Sequence, residues 1–480
     1  MKPIDAETKL LAWRQNLIAK IAVARTAKGI TQTQLAEMLG TNRSNISRLE
    51  SGAHNPSLDF LLKVAAVLNL ELDLKPGEEH EEIVPMNDEY EVRLYDQCLF
   101  TFTLTQKGIE GLVAEIGDTK NGAEKLLPID LQPTNEGVVK WLERRVIPKN
   151  RTFVEEILKT LGIAVNDTKG IIDVCKGLSL NDSYWVVPKG FAGKFSEYNL
   201  YENRFSEILS LVAYTGIGQT HGAFSTSPEL TTNGMLPKGW RFIENDGIYL
   251  YKGGTAGYAN AGKEPYSEFY ACQVANAMGL DAVQYDLENW KGILASKCKL
   301  FTDIDTAFVP IGRIVREGGL KAVLEYSDTL GQEFTESIKS MLVLDAVIYN
   351  EDRHFGNFGV LRDNKSGKIL RPAPLFDHGL SLFCFAMDND LANIVEYAKT
   401  RTTPYSGVSF ESIVADVCGK TQATQLRRLI GFKFARHPTI NLPEKRLAVI
   451  ERHLQLRVRQ LLEIHRQAEL PVRKRTEKER

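Results

Sequence analysis

Apolar positions at helical spacing open the chain. Leu10, Leu17, Ile18, Ile21 and Val23 recur with a helical period. Gly29 then predicts the end of that helix, because a glycine readily takes the left-handed capping conformation. Thr31 stands as a capping hydroxyl ahead of Gln32, and Leu35, Ala36 and Leu39 supply the buried face of a second helix. Gly40 marks a tight turn. In Asn42–Glu50 only Ile46 and Leu49 face inward, which leaves Arg43, Ser44, Asn45, Ser47 and Arg48 outward. Asn55-Pro56-Ser57 starts a further helix whose apolar residues are Leu58, Phe60, Leu61, Val64, Ala65, Val67 and Leu68. Residues 8–75 therefore read as an all-α unit.

The pattern then breaks. Residues 76–91 hold seven acidic residues and neither Lys nor Arg, the composition of an acidic, flexible linker. From residue 92 apolar positions alternate. Val92–Tyr95, Leu99–Leu104 and Leu112–Ile116 predict a small antiparallel sheet, and 136–181 returns to helical spacing. These two stretches mark 92–200 as a subdomain of its own. Ile248–Lys252 is a strand that ends in Lys before a Gly-rich break, 267–280 is helical, and Ile293–Phe301 is another strand. Leu342–Ile348 is apolar throughout and ends abruptly in polar residues, so a loop emerges there from a buried helix. Gly359 and Val360 resume as a short hairpin strand. The chain is expected to be helical after 377, to about 468, ahead of a charged tail at 469–480.

Composition narrows the class. A chain of 480 residues exceeds one ordinary core, so several domains are expected. Hydrophobic residues make 43% and charged residues 25%, as in globular proteins. No apolar run approaches the roughly 18–20 residues of a membrane span. The N-terminal segment carries acidic residues and no uninterrupted apolar core, so it is not expected to be a secretory signal. Cysteines 98, 175, 272, 298, 384 and 418 form no CxxC pair and read as reduced thiols in a cytoplasmic protein. The net charge of −2 carries no global nucleic-acid signal. Residues 1–75 hold ten Lys/Arg against seven Asp/Glu, so any DNA contact is local.

The chemistry concentrates late in the chain. Residues 350–357 read Asn-Glu-Asp-Arg-His-Phe-Gly-Asn, and 376–379 read Phe-Asp-His-Gly. Asp352 and Asn357 have the spacing of the protein-kinase catalytic loop, and Asp377 stands where kinases carry a metal-binding Asp. Phosphoryl transfer needs these groups. One carboxylate must orient and deprotonate the attacking hydroxyl. An amide oxygen and a second carboxylate must hold Mg2+ over the phosphates. Asp-Arg-His alone arises by chance, but two motifs in this order, each bounded by apolar segments, rarely do. Upstream, Lys252 at a strand end and Glu268 on the next helix reproduce the ion pair that positions nucleotide phosphates.

The 350–379 pattern resembles two families, the phosphoinositide-kinase-like group and the bacterial HipA-type serine/threonine kinases, which are the toxin halves of HipBA toxin–antitoxin pairs. Residues 227–240, SPELTTNGMLPKGW, are similar to the Ser-x-x-Gly-x-x-x-Lys loop of the HipA type, which the lipid kinases lack. That resemblance implies that Gly234 and Lys238 lie at the ATP phosphates, and that the loop carries an autophosphorylated residue. Thr231 falls where the family has serine, with Thr232, Ser225 and Ser227 as rivals. His378 replaces the usual Phe after the metal Asp and is expected to be a structural neighbour. Residues 31–68 resemble the XRE/Cro-type helix-turn-helix family. The resemblance makes Asn42–Glu50 the recognition helix, with Thr41, Arg43, Ser44, Asn45 and Arg48 facing operator DNA and Gln32 near a phosphate.

The expected architecture is multidomain, an all-α helix-turn-helix domain at 8–75 ahead of an α+β protein-kinase-like domain with two lobes, 201–305 and 306–468, and a small β-rich subdomain. The resemblances imply ATP and Mg2+ as cofactors, a homodimer on operator DNA, and a protein substrate in translation, with an aminoacyl-tRNA synthetase as the leading class. A transcription regulator with a nucleotide-sensing, inactive kinase domain and a lipid or small-molecule kinase remain as alternatives.

Overall fold

Thr31 begins the Gln32–Met38 helix of the N-terminal unit with a reciprocal cap. Its hydroxyl accepts from Gln34 N at 3.2 Å, and the Gln34 side chain accepts from Thr31 N at 2.9 Å. In this computed structural model, residues 28–50, 56–70, 88–107, 111–217, 226–257 and 259–469 are described, with Leu17, Ile18, Ile21, Ala22, Ala24 and Arg25. Leu10, Val23, Asn55, Ser225, most of the acidic segment and the end of the charged tail lie outside them.

Helix α1 (Gln32–Met38), the turn at Gly40, α2 (Arg43–Glu50) and α3 (Leu58–Val67) follow the sequence expectation. Gly40 has φ +62°, the left-handed region that favours glycine. Ile18, Ile21, Leu35, Ala36, Ile46, Leu49, Val64 and Leu68 form one buried cluster. Fully burying one such side chain contributes roughly 1.5–3 kcal/mol.

The chain divides into two compact units, the second running from Asp88 except for two short segments. It opens on an antiparallel sheet of β1 (Glu89–Leu94), β2 (Gln97–Lys107), β3 (Gly111–Thr119) and β4 (Tyr184–Pro188), in the order β3-β2-β1-β4. Strand β1 begins within the last residues of the acidic segment. Helices α4 (Asn135–Glu143), α5 (Val154–Thr160) and α6 (Thr168–Cys175) lie between β3 and β4 in the chain. Strand β4 was not foreseen. Its first four residues, Tyr184 to Val187, are all buried, so it lacks the alternation that marks a half-exposed strand.

After α7 (Glu207–Thr215), a second antiparallel sheet contains β5 (Lys238–Ile243), β6 (Gly247–Lys252), β7 (Tyr285–Trp290) and β8 (Ile293–Lys299), ordered β5-β6-β8-β7. Helix α8 (Glu264–Met278) connects β6 to β7. A third sheet, ordered β11-β10-β9, contains β9 (Thr306–Pro310), β10 (Gly359–Asp363) and β11 (Ile369–Pro372). Helices α9 (Gly319–Leu330) and α10 (Gln332–Ile348) precede β10. Beyond β11 the longer helices are α11 (Phe410–Val417), α12 (Lys420–Arg427) and α13 (Glu444–Ala468). Residues Ser340 to Ile348 of α10 are all buried, and the helix packs against α8, α9, α11, α12 and α13. A helix apolar all round belongs inside a core, and this one carries the catalytic-loop sequence at its end.

Candidate active site

Strand β6 ends at Lys252 with its ammonium between two carboxylates. Lys252 Nζ donates to Glu268 Oε1 at 2.9 Å and pairs with Asp377. Glu268 is fully buried on α8, and its other oxygen accepts from the backbone N–H of His378 at 2.6 Å. Asp377 takes φ +60°, and its backbone N–H donates to the Tyr285 hydroxyl at 3.1 Å. Burial alone would raise the Asp377 carboxyl, but the adjacent Lys252 ammonium holds it well below the usual carboxylate range. Burial would lower Lys252, and Asp377 and Glu268 together push it up instead. For Glu268 burial wins, and its carboxyl is raised.

The residues of the 350–357 loop hang on Arg353, which is fully buried. Its guanidinium donates to Asp345 on α10 at 3.0 and 3.1 Å, to Asn357 O at 3.0 Å and to Phe376 O at 2.5 Å. It also lies 2.9 Å from His378 Nδ1, which accepts because a guanidinium can only donate. Asn350 Nδ2 donates to Asp345 at 3.0 Å, and the Tyr405 hydroxyl to Arg353 O at 2.8 Å. One cation thus ties together the end of α10, the catalytic loop and the Asp377 segment. His378 is wholly buried, and burial, then Arg353, push its imidazole well below the ordinary value. It sits as a buried neighbour of Arg353.

Asp352 is half-buried, and its carboxyl is raised by burial and by the Asp377 charge. Asn357 Nδ2 donates to Asp352 O at 3.0 Å, which fixes the amide with its oxygen on the opposite side. Among the described residues no group of three or more His, Cys, Asp or Glu could hold a metal ion. The Asp377 carboxylate and the Asn357 amide oxygen are hard donors of the kind Mg2+ takes when waters and phosphates complete its shell.

The phosphate-loop candidate is seated, not open. Thr231 is buried, and its hydroxyl donates to Leu178 O at 2.8 Å. The Thr232 hydroxyl donates to Pro228 O at 2.6 Å and accepts from Trp240 Nε1 at 2.8 Å. Ser227 is buried as the cap of a short turn. Gly234 has φ +92°, and a Cβ there would come within 2.2 Å of Lys238 Nζ. That ammonium donates to Asn233 O at 2.8 Å. Sequence reasoning missed what holds this loop. Buried Arg151 donates to Glu229 O and Oε2, both at 2.6 Å, and to Lys238 O at 2.9 Å. Glu229 Oε1 in turn accepts from Trp240 N at 2.6 Å. No local pattern marks an Arg and a Glu that meet across 78 residues.

In the N-terminal unit, Arg43, Ser44, Asn45 and Arg48 are exposed on α2, and Thr41 is half-buried at its start. Asn45 Nδ2 donates to the Thr41 hydroxyl at 2.9 Å. Gln32 differs from these. It is half-buried, and its amide donates to Glu50 at 2.8 Å, beside the Arg25–Glu50 pair at 2.6 Å. Its side chain braces α1 against the end of α2.

Comparison with known proteins finds a family for the N-terminal unit. Residues 21–75 match the helix-turn-helix family HTH_3. Serine/threonine-protein kinase CtkA of Helicobacter pylori is 30% identical over 139 residues, 26% of this chain and 42% of CtkA. The transcriptional regulator SlrR of Bacillus subtilis is 38% identical over 95 residues, 17% of this chain and 62% of SlrR. The chain thus spans less than two thirds of either relative. Among solved structures, a Helicobacter pylori proinflammatory kinase CtkA aligns with TM-score 0.42 and 20% identity, over 51% of this chain and 96% of its own. The HipA, HipB and operator DNA complex of a Shewanella oneidensis toxin–antitoxin system aligns with TM-score 0.47 and 13% identity, over 78% of this chain and 99% of the matched chain. No helix among the described residues is long and apolar enough to cross a membrane. The chain carries a helix-turn-helix domain of the HTH_3 family at 21–75, followed by a further stretch of α+β fold, and a 139-residue segment of it is similar in sequence to the kinase CtkA.

Proposed function

We propose that the chain is an ATP-dependent serine/threonine protein kinase of the HipA type whose N-terminal domain binds operator DNA. The observation that carries this reading is the Lys252–Glu268–Asp377 cluster, with Asp352 and Asn357 fixed to the same buried Arg353 scaffold. Bound MgATP supplies the γ-phosphoryl group and the charge that screens it. Asp377 and the Asn357 amide oxygen would hold Mg2+, whose charge would offset that of the phosphates, and Lys252, freed from Asp377, would contact the nucleotide phosphates. Asp352 orients the acceptor hydroxyl and takes its proton as the oxygen bonds to phosphorus and the bond to the ADP oxygen breaks. Its raised carboxyl favours this task, because a base nearer in pKa to working pH transfers protons with less loss.

The substrate in this reading is a protein of translation, of the aminoacyl-tRNA synthetase class, and a homodimer represses its own operon. Brief expression of wild type and Asp352→Gln, followed by phosphoproteomics, tests it. Asp352→Gln should lose more than about tenfold in phosphate transfer while binding nucleotide within a few-fold of wild type. Nucleotide binding without turnover in the wild type would instead make the domain a sensor, and transfer to lipid alone would make it a lipid kinase.

A further inference from the structure

Just ahead of α4, Asp130 stands among more cations than one carboxylate can balance. Its carboxylate is buried, with Oδ2 3.4 Å from Arg313 Nη1 and 3.9 Å from Arg144 Nη1, and its backbone carbonyl accepts from Arg316 Nη2 at 2.8 Å. Asp182 gives no relief, because Arg145 takes both its oxygens at 2.7 and 2.8 Å. Glu143 and Glu317 are exposed beside Arg144 and Arg316 in sequence. Even so, among the described residues no carboxylate but Asp130 comes within 4.0 Å of the three guanidiniums. Burial, with Arg145 and Arg144 adding to it, holds Arg313 below its ordinary value in spite of Asp130 and Asp182. An arginine in a protein keeps its proton, so the spot stays positive at any working pH. Arg144 and Arg316 are exposed and present that charge to solvent.

This spot borders the 350–357 loop. Arg313 lies in the short helix Ile311–Ile314 that follows β9, and Arg316 just beyond its end. Gly312 N donates to Phe355 O and Ile311 N to Phe358 O, both at 2.9 Å. A Cβ at Gly312 would come within 2.8 Å of the Phe355 Cβ, so glycine is what lets the helix lie this close. Phe355 and Asp352 share the loop, which puts the arginines beside the acceptor position of the kinase reading. Three guanidiniums in one spot, with two exposed glutamates nearby in sequence, suit a few carboxylates of a polypeptide. A nucleic acid, with phosphates repeated along its length, calls for a longer basic stripe.

We propose that Arg144, Arg313 and Arg316 form a docking spot for an acidic segment of the protein that the kinase site phosphorylates, with carboxylates received by the guanidinium forks. Its role as an acceptor dock rests on the kinase reading, whereas its binding of acidic peptide does not. The probe is a fluorescein-labelled peptide in which a serine lies between two runs of glutamate, titrated into the full chain without nucleotide and followed by anisotropy. It should bind saturably, and more weakly as salt is raised, because exposed charges are screened. The same peptide with glutamine for glutamate should not bind. Arg144→Glu combined with Arg316→Glu should weaken binding about tenfold or more. Arg144→Glu alone should weaken it several-fold, which keeps the test open if the double variant does not fold. In phosphate transfer to the peptide, the double variant should raise KM about tenfold and leave kcat and the KM for ATP unchanged. The proposal is overturned if the peptide fails to bind or if binding survives the charge reversals. It is also overturned if a single-stranded oligonucleotide loses as much affinity as the peptide in these variants. Peptide binding that the variants abolish, in a wild type that transfers phosphate to no protein, would uphold the acidic-peptide site and overturn the kinase reading instead.

Discussion

Lys238 and Lys252 stand directly opposite each other in the register of β5 and β6. Lys252 has two carboxylates against its ammonium, whereas the ammonium of buried Lys238 donates to the Asn233 carbonyl. Burial, with Lys252 and Arg151 as neighbouring cations, pushes Lys238 down to about 7. An unfolded Lys titrates near 10.4, so between about 7 and 10 the unfolded state binds more protons, and stability rises with pH there. Below that window both states are protonated, and the folded state bears the whole cost. Wild type should therefore gain stability on Lys238→Met as pH is raised through the window, measured by urea unfolding. Nucleotide phosphates should recharge Lys238. Binding at pH 8 should take up roughly one proton, read by calorimetry in buffers of different ionisation enthalpy, and Lys238→Met should take up none. A wild type without proton uptake would contradict the assignment.

On the kinase reading the Lys252–Asp377 pair would open to admit nucleotide and metal. Asp377→Asn should weaken MgATP binding by about tenfold or more, because a metal carboxylate is lost. The same variant should bind metal-free ATP at least as well as wild type, since Lys252 is released. Equal losses with and without Mg2+ would show that Asp377 acts only as a partner of Lys252.

Arg151 and Glu229 form a fully buried pair. Removing one partner strands the other, so Arg151→Met should cost about 3–5 kcal/mol in urea unfolding. Arg151→Met combined with Glu229→Leu should recover most of that loss. If the double variant is as unstable as the single one, the pair is not the main anchor of the loop.

Thr231 cannot carry a phosphate where it stands. Its hydroxyl is buried against Leu178 O, and a phosphate adds about −1.5 to −2 charges and three acceptor oxygens. Modification requires the loop to leave this seat. After incubation with MgATP, mass spectrometry should find phosphate within 225–238, and Thr231→Asp should bind ATP more weakly than Thr231→Ala. Phosphate found only outside 225–238 would reduce the loop to a passive cover.

Asn45→Ala and Arg48→Ala should each lose about 1–3 kcal/mol of operator binding in a gel-shift titration at fixed salt, as base-edge contacts do. Gln32→Ala should act differently. Its amide is bound to Glu50, so the variant should lower the melting temperature of the domain as well as DNA affinity.

Much of this was legible because the relevant information is local. Asp352, Asn357 and Asp377 sit in short motifs between apolar runs, and the caps at Thr31 and Ser57 are written within four residues of chain. Three strands of the first sheet announced themselves by alternation, and β6 and β8 of the second were legible as short apolar runs, whereas β5 and β7 were not read and β4, buried on both faces, resembled any apolar run. Long-range polar pairs left no such signal. Arg353 could be read as part of a motif, but not as the hub that joins Asp345 to Phe376. Arg151 carried no signal at all, and Gln32 was read as a phosphate contact and not as a brace, because their partners are set by tertiary packing.

The Arg353 hub also governs how errors of position propagate. With both the Asn357 and Phe376 carbonyls on one guanidinium, the 350–357 loop and the Asp377 segment are parts of a single plate. On the kinase reading, a movement of the sheet that bears Lys252 would change the distance from lysine to plate, but not the spacing within it. The alignment of acceptor and metal would then be insulated from such a movement, which would fall on the lysine, whose long, flexible arm can follow it.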